Sequence, residues 1–426
     1  MKPATLDQWL DYIERQHPQT VELGLQRVDA VRAVLDLTPP FPIITVGGTN
    51  GKGSCCALLE AVLLAAGYRI GCYTSPHLLR YNERVRIGGV EVDDATLCRA
   101  FERVEAARRA ANVSLTYFEF GTLAALLAFG DAALEVAVLE VGLGGRLDAV
   151  NAFDADCALV VSVDLDHREY LGGTREAVGF EKAGIFRAGR PAVCADRDPP
   201  QTLLAHAAQI GARLLRLGGD FDYTADATQW QYRGPGGQRF GLPYPALRGR
   251  YQLDNAAACI TVLDCLREQL PVSAQDVRNG FTQVALPARF QVLPGRPLVV
   301  FDVAHNPQAA RALAANLQLL PQGGATIAVC GILKDKDIAA IVAAIAPQIT
   351  RWHVATLAVP RGAPAQQIAD ELQRGGVDAP VIQHADVAAA WRAACKEAGE
   401  NDKIVVFGSF FTVAAVLRER SSAKLS

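Results

Sequence analysis

No stretch of this sequence is apolar for long enough to cross a membrane. The longest charge-free apolar run, residues 404–417, has 14 residues and contains Gly408 and Ser409; a spanning helix needs roughly 20. The N-terminus, Met1-Lys2-Pro3-Ala4-Thr5-Leu6-Asp7, lacks the apolar core segment of a signal peptide. Neither sign of charge is in excess: 42 Lys and Arg stand against 45 Asp and Glu, a formal net charge of −3, with no local block of basic residues. That balance excludes nucleic acid and other polyanions and leaves small metabolites as the expected partners. The ten cysteines form no Cys-x-x-Cys pair, and Cys157, Cys259 and Cys330 sit in apolar helix or strand patterns. They read as reduced core residues of a cytoplasmic protein, neither disulfides nor a zinc site. Internal repeats and low-complexity tracts are also missing.

What the chain does have is material for two cores, with 426 residues of which 50% are hydrophobic. From residue 42 onward, strand-like apolar runs (43–46, 69–73, 136–141, 158–163 and 192–195) alternate with helical patterns such as 94–110 and 121–129. This alternation predicts a parallel sheet flanked by helices, with ligands at the carboxyl ends of its strands. Pro294-Gly295-Arg296-Pro297 reads as a linker, after which strand–helix alternation restarts at Leu298. The Gly- and Tyr-rich segment 217–242 reads as a β-meander or an extended excursion on the first domain. The expected fold class is α/β: a P-loop ATPase domain with a central, mostly parallel sheet (residues 1–292), plus a smaller C-terminal Rossmann-like α/β domain (298–426).

Between a strand at 43–46 and a helix from Cys55 lies Gly47-Gly48-Thr49-Asn50-Gly51-Lys52-Gly53-Ser54. A glycine-rich turn there presents backbone N–H groups and a helix N-terminus to an anion. Lys52 adds a point charge, and the Ser54 hydroxyl reaches a phosphate or its Mg²⁺, so a nucleoside triphosphate is the natural occupant. Two irregularities mark the turn: Val46 stands where the general P-loop has its first glycine, and Gly53 intervenes before Ser54.

Further polar clusters fall at strand ends. Ser75, in Tyr73-Thr74-Ser75-Pro76-His77, reads either as a Mg²⁺ ligand or as part of a capping turn. Glu140 closes an apolar strand, where a carboxylate is costly unless paired or metal-bound; a solvated strand end is the plainer alternative. His167, beside Asp164 and Asp166, reads equally as a metal ligand or a surface histidine. Asn255 sits at the expected N-cap of a helix 256–267. Arg289 lies just before the linker, and Asp302 ends the first strand of the second domain, placed to accept from a ribose hydroxyl or an adenine amine. Lys182, in Glu181-Lys182-Ala183-Gly184, has no feature that selects it.

Taken together these segments resemble the ATP-dependent amino-acid ligases that include the Mur ligases, and specifically the bifunctional dihydrofolate synthase/folylpolyglutamate synthases. The variant cradle 48–54 carries the resemblance. It is joined by Ser75-Pro76-His77, residues 115–122, residues 139–148, Asp166-His167 with residues 181–186, and residues 301–307, so that nearly the whole chain is covered. The resemblance implies that Gly51, Lys52, Gly53 and Ser54 hold ATP phosphates and that Asn255, Arg289 and Asp302 also contact ATP. It implies that Ser75, Glu140 and His167 ligate Mg²⁺ and that Lys182 is carbamylated; a monovalent cation is a further admissible cofactor. The pterin substrate is expected near Gly24, Leu25, Gln26 and Arg27 and near Phe118, Glu119 and Thr122, with Lys52, Lys182 and His167 as catalytic residues. Two departures stand out: Val150 replaces a threonine of the family's Asp-Ala-Thr-Asn, and Phe411 stands where close relatives carry histidine.

The implied chemistry is addition of L-glutamate to dihydropteroate and to reduced folates through an acyl phosphate, by a cytoplasmic monomer. Domain closure is expected to complete the site and exclude water. Two rivals are weighed against it. A Mur-type ligase wants a separate N-terminal uridine-nucleotide domain, whereas only about 40 residues precede the cradle. A nucleotide-dependent switch would keep the cradle but has no need of Glu140, His167 and residues 118–122 together.

Overall fold

The computed structural model describes residues 3–19, 21–321 and 323–423. They form two compact units, Met1–Ala246 with Leu253–Val284, and Leu247–Gln252 with Ala285–Ser426.

The first unit is built on eight strands: β1 (Ile43–Gly47), β2 (Ile70–Tyr73), β3 (Val85–Ile87), β4 (Val90–Glu91), β5 (Val136–Glu140), β6 (Cys157–Val160), β7 (Pro191–Cys194) and β8 (Arg213–Arg216). Their order is β4-β3-β2-β5-β1-β6-β7-β8. Strands β2, β5, β1, β6, β7 and β8 run parallel, while β3 and β4 add an antiparallel edge. β1 and β5 are buried at every position, which is why they read as continuous apolar runs: helices cover both faces of a parallel sheet. From β1 the chain steps over the place of β5 to reach β2, and later returns to the other side of β1 with β6. The carboxyl end of β1 is therefore a topological switch point, the place where doubly wound sheets bind ligands. The expected meander is present as a three-stranded antiparallel sheet, β9 (Asp222–Ala225), β10 (Gln229–Gly234) and β11 (Gly237–Pro243).

The second unit has a six-stranded sheet made of β12 (Gln291–Leu293), β13 (Leu298–Phe301), β14 (Thr326–Cys330), β15 (Arg351–Ala355), β16 (Val381–His384) and β17 (Lys403–Phe407), in the order β12-β13-β17-β14-β15-β16. All pairs are parallel except β12 with β13. Its core includes Val300, Cys330, Ile341, Trp352 and Phe407.

Two sequence expectations need correction here. Pro294-Gly295-Arg296-Pro297 is not a linker but the turn of the β12–β13 hairpin, inside the second unit. Proline and glycine punctuate a tight hairpin as readily as a domain junction. Asn255 is not an N-cap: the helix runs Tyr251–Cys265, so Asn255 lies within it. The Asn that reads as a helix start owes its position to something else.

Candidate active site

The glycine-rich turn leaves β1 and enters the helix Lys52–Ala65 through Gly51, whose φ is +88°. A Cβ at Gly51 would lie 2.7 Å from Val161 Cγ1 and 3.0 Å from Asn255 Oδ1, so conformation and space both demand glycine. Asn255 is thus a wall of the cradle, which explains its burial. The helix begins without a side-chain cap, and an N-terminus of this kind attracts an anion. Ser54, in that first turn, is buried. Lys52 Nζ donates to Gly48 O and Thr49 O at 3.0 and 3.3 Å.

The loop after β6 holds the turn in shape. Thr49 Oγ1 donates to Asp164 O at 2.9 Å and accepts from Asp164 N at 3.0 Å. Ser162 Oγ likewise donates to Asn50 O and accepts from Asn50 N, both at 3.0 Å. Past it, His167 has φ +48° and starts the short helix Arg168–Leu171. Its N–H donates to Asp166 Oδ1 at 2.8 Å, and its Nε2 stands 4.0 Å from the same oxygen.

On the other side of β1, Glu140 ends β5 with only 4% of its surface exposed and accepts from Ser75 N at 3.1 Å. Ser75 and Glu140 are therefore brought together. Among the described residues no three His, Cys, Asp or Glu side chains gather closely enough to hold a metal ion by themselves. The candidate set contains two such side chains, with the Ser75 hydroxyl as third.

Lys182 is buried in the helix Arg175–Ala183. Burial, with the charge of Lys52 added, brings its amine down to about 7, although Asp166 and Asp148 pull the other way. Sequence reading gave Asp148 no role of its own. Burial pushes its carboxyl up to about 7, even though it accepts from Leu143 N at 2.9 Å and Val150 N at 3.0 Å and feels the charge of Lys52. Two ionisable groups with strongly displaced pKa values beside a P-loop lysine mark a functional site. The signals for Asp148 were its place just after the glycine run 142–145 and its position at the head of the family's Asp-Ala-Thr-Asn.

The residues expected to meet the pterin form a second cluster of the same unit. Gly24 and Leu25 lead into the helix Gln26–Val34, and Gly24 N donates to Leu147 O at 3.2 Å. Arg27 Nη2 donates to Glu119 Oε1 at 2.8 Å and also pairs with Glu22. Glu119 caps its own helix, Tyr117–Asp131, through Thr116 N. Thr122 is wholly enclosed, its hydroxyl donating to Phe118 O at 2.9 Å. Phe118 packs its ring against Tyr73, with centroids 5.8 Å apart, and over Gly142. Val150, the first departure from the family pattern, is fully buried in the turn Ala149–Ala152.

In the second unit, Asp302 is buried and accepts from Phe290 N at 2.8 Å and Ala304 N at 2.7 Å; burial raises its pKa. Arg289 lies between two residues of positive φ, Ala288 and Phe290, with its guanidinium 5.1 Å from the Phe410 ring centroid. Phe411, the second departure, is 48% exposed.

A P-loop at the switch point of one α/β unit, followed by a second parallel α/β unit, defines a class: the ATP-dependent ligases of the Mur type. A family model described as Mur ligase middle domain matches residues 46–263, and one described as Mur ligase, glutamate ligase domain matches residues 288–410. The chain is 44% identical to the dihydrofolate synthase/folylpolyglutamate synthase of Escherichia coli, over 97% of this chain and 95% of that one. The solved structure of Escherichia coli FolC in complex with DHPP and ADP superposes with a TM-score of 0.93 at 43% identity, covering 100% of this chain and 99% of that one. A solved bifunctional folylpolyglutamate synthase/dihydrofolate synthase with Mn, AMPPNP and L-glutamate bound gives 0.91 at 46% identity, with coverage of 99% and 100%. The chain belongs to the dihydrofolate synthase/folylpolyglutamate synthase family, and it is an ATP-dependent amino-acid ligase.

Proposed function

We propose that this chain joins L-glutamate both to dihydropteroate, forming dihydrofolate, and to tetrahydrofolate and its polyglutamates. The observation that carries this reading is a convergence at the ends of β5, β1 and β6. A phosphate cradle, a buried strand-end carboxylate tied to Ser75, and a buried lysine whose amine is brought down to about 7 meet in one region of the sheet.

The cradle fits ATP because its helix N-terminus has no side-chain cap and the ammonium of Lys52 lies against the turn. Gly51, Lys52, Gly53 and Ser54 hold the phosphates, Asn255 supports the turn, and Lys52 exchanges its two carbonyl partners for phosphate oxygens. Ser75, Glu140 and His167 hold Mg²⁺, a hard cation suited to their oxygens and tolerant of one imidazole. Bound there, the cation neutralises charge on the phosphoryl group being transferred. The relative solved with Mn, AMPPNP and L-glutamate supports a divalent cation beside the nucleotide, and the choice of these three ligands rests on the resemblance. The roles of Arg289 and Asp302 toward ATP rest on the resemblance.

Lys182 is suited to carbamylation because burial brings its amine down to about 7, which favours the neutral nucleophile. The nitrogen lone pair bonds to the carbon of CO₂ and a proton leaves, turning a cation into an anionic ligand. Gly24, Leu25, Gln26, Arg27 and Phe118 contact the pterin, while Glu119 and Thr122, both buried, position them. We assign the ATP phosphates and the pterin to the first unit, glutamate to the second, and the working form to a cytoplasmic monomer.

In the reaction, a carboxylate oxygen of the pterin substrate attacks the γ-phosphoryl group of ATP and ADP leaves. Lys52 meets the developing charge. The glutamate amine then attacks the acyl carbon, and inorganic phosphate departs. The test compares ADP release with dihydropteroate plus glutamate against tetrahydrofolate plus glutamate. Release with both is expected. Release with tetrahydrofolate alone would reduce the chain to a folylpolyglutamate synthase, and release needing neither acid would overturn the ligase reading.

A further inference from the structure

Three arginines crowd the segment 80–86, and two of them are paired. Arg80 lies 3.9 Å from Glu91 and 3.6 Å from Asp94, and Arg86 holds Glu60 at 2.7 Å. Arg84 has no carboxylate within ion-pair distance among the described residues. Its guanidinium carbon instead lies 5.3 Å from the Tyr81 ring centroid and 5.5 Å from that of Tyr117, and its Nε donates to His77 Nδ1 at 2.8 Å. These contacts fix the guanidinium plane while using one of its five N–H groups. Among the described residues, no protein acceptor takes Nη1 or Nη2.

The residue is tied to both halves of the site. Its carbonyl accepts from Thr74 N at 2.9 Å, one residue before Ser75. Its side chain lies on Tyr117, next in sequence to Phe118, whose ring meets Tyr73. A guanidinium held in place, partly exposed and with an unpaired fork is a carboxylate receptor.

The two acids of the proposed reaction differ in one anionic group. Dihydropteroate has a single carboxylate, the one that reacts. A glutamylated folate has in addition an α-carboxylate on its terminal residue that does not react. We infer that Arg84 receives this α-carboxylate, which makes it a specificity-determining residue for chain lengthening with little part in the first addition of glutamate. The inference rests on the bifunctional reading above.

Steady-state kinetics of R84Q with each acid test it. Loss of a charge-assisted pair predicts a KM for tetrahydrofolate raised about 10- to 100-fold, with kcat/KM for dihydropteroate little changed. R84K keeps the charge and loses the fork, and its KM for tetrahydrofolate is expected between those of wild type and R84Q. Should R84Q fail to fold, R84K carries the test in the same direction. Equal losses on both acids, the result of a merely structural cation on two tyrosines, would overturn the inference, as would no loss on either. A wild-type protein that makes dihydrofolate but elongates no folate would overturn the bifunctional reading itself, before any variant is compared.

Discussion

An amine enclosed as Lys182 is loses stability wherever the unfolded chain would hold the proton. Its folded pKa, about 7, lies below the ordinary 10.5. Between those values the unfolded state binds more protons, so stability rises with pH across that window and the full penalty applies below 7. Replacing the lysine with an apolar isostere, K182M, is therefore expected to stabilise the protein by up to about 4 kcal/mol at neutral pH, read from denaturant melts, while abolishing ligation. Wild-type ligation should fall as pH drops through about 7 and recover with added bicarbonate; a flat profile would count against the carbamate. Asp148 has the opposite sign. Its folded pKa is raised to about 7, so its contribution to stability declines as pH climbs from the ordinary carboxylate range toward that value. Two ionisable groups that each weaken the fold are the pattern expected where chemistry is done.

At the scale of elements, the turn from β1 into the helix Lys52–Ala65 is the most constrained. G51A places a side chain at φ +88° and 2.7 Å from Val161 Cγ1. The left-handed conformation alone costs about 1–2 kcal/mol, and calorimetry with AMPPNP should show nucleotide affinity falling by at least that much. G142A acts on the other substrate: its Cβ would sit 2.6 Å from Phe118 Cζ. Overpacking of this kind costs about 1–3 kcal/mol. Pterin affinity should weaken, with nucleotide affinity unchanged; the reverse pattern would remove Phe118 from the pterin site. The buried strands and the glycine turn were legible because apolar runs and φ > 0 positions leave local marks. The hairpin turn 294–297 was misread as a linker because its residues serve both purposes, and only the pairing of β12 with β13 separates them. Asn255, Asp148 and Arg84 were opaque for a different reason. Their meaning comes from what lies against them, Gly51, Lys52 and two tyrosine rings, and a linear chain does not display neighbours across a sheet.

Across the whole molecule, each unit has its own parallel sheet and its own core, and among the described residues no helix is long and apolar enough to cross a membrane. Chelating divalent cations is expected to stop ADP release while pterin binding, followed by fluorescence, persists. Mg²⁺ or Mn²⁺ should restore turnover, and unimpaired release in the chelator would sink the metal assignment. The paired bonds from Thr49 to Asp164 and from Asn50 to Ser162 carry one more consequence. They tie the turn to a neighbouring strand end through the protein's own groups, and every bond that already holds the turn reduces the ordering entropy a ligand must overcome. A rigid phosphate mimic shaped to the extra residue, Gly53, would draw on that restraint. It would also discriminate this ligase from P-loop proteins whose serine follows the lysine directly.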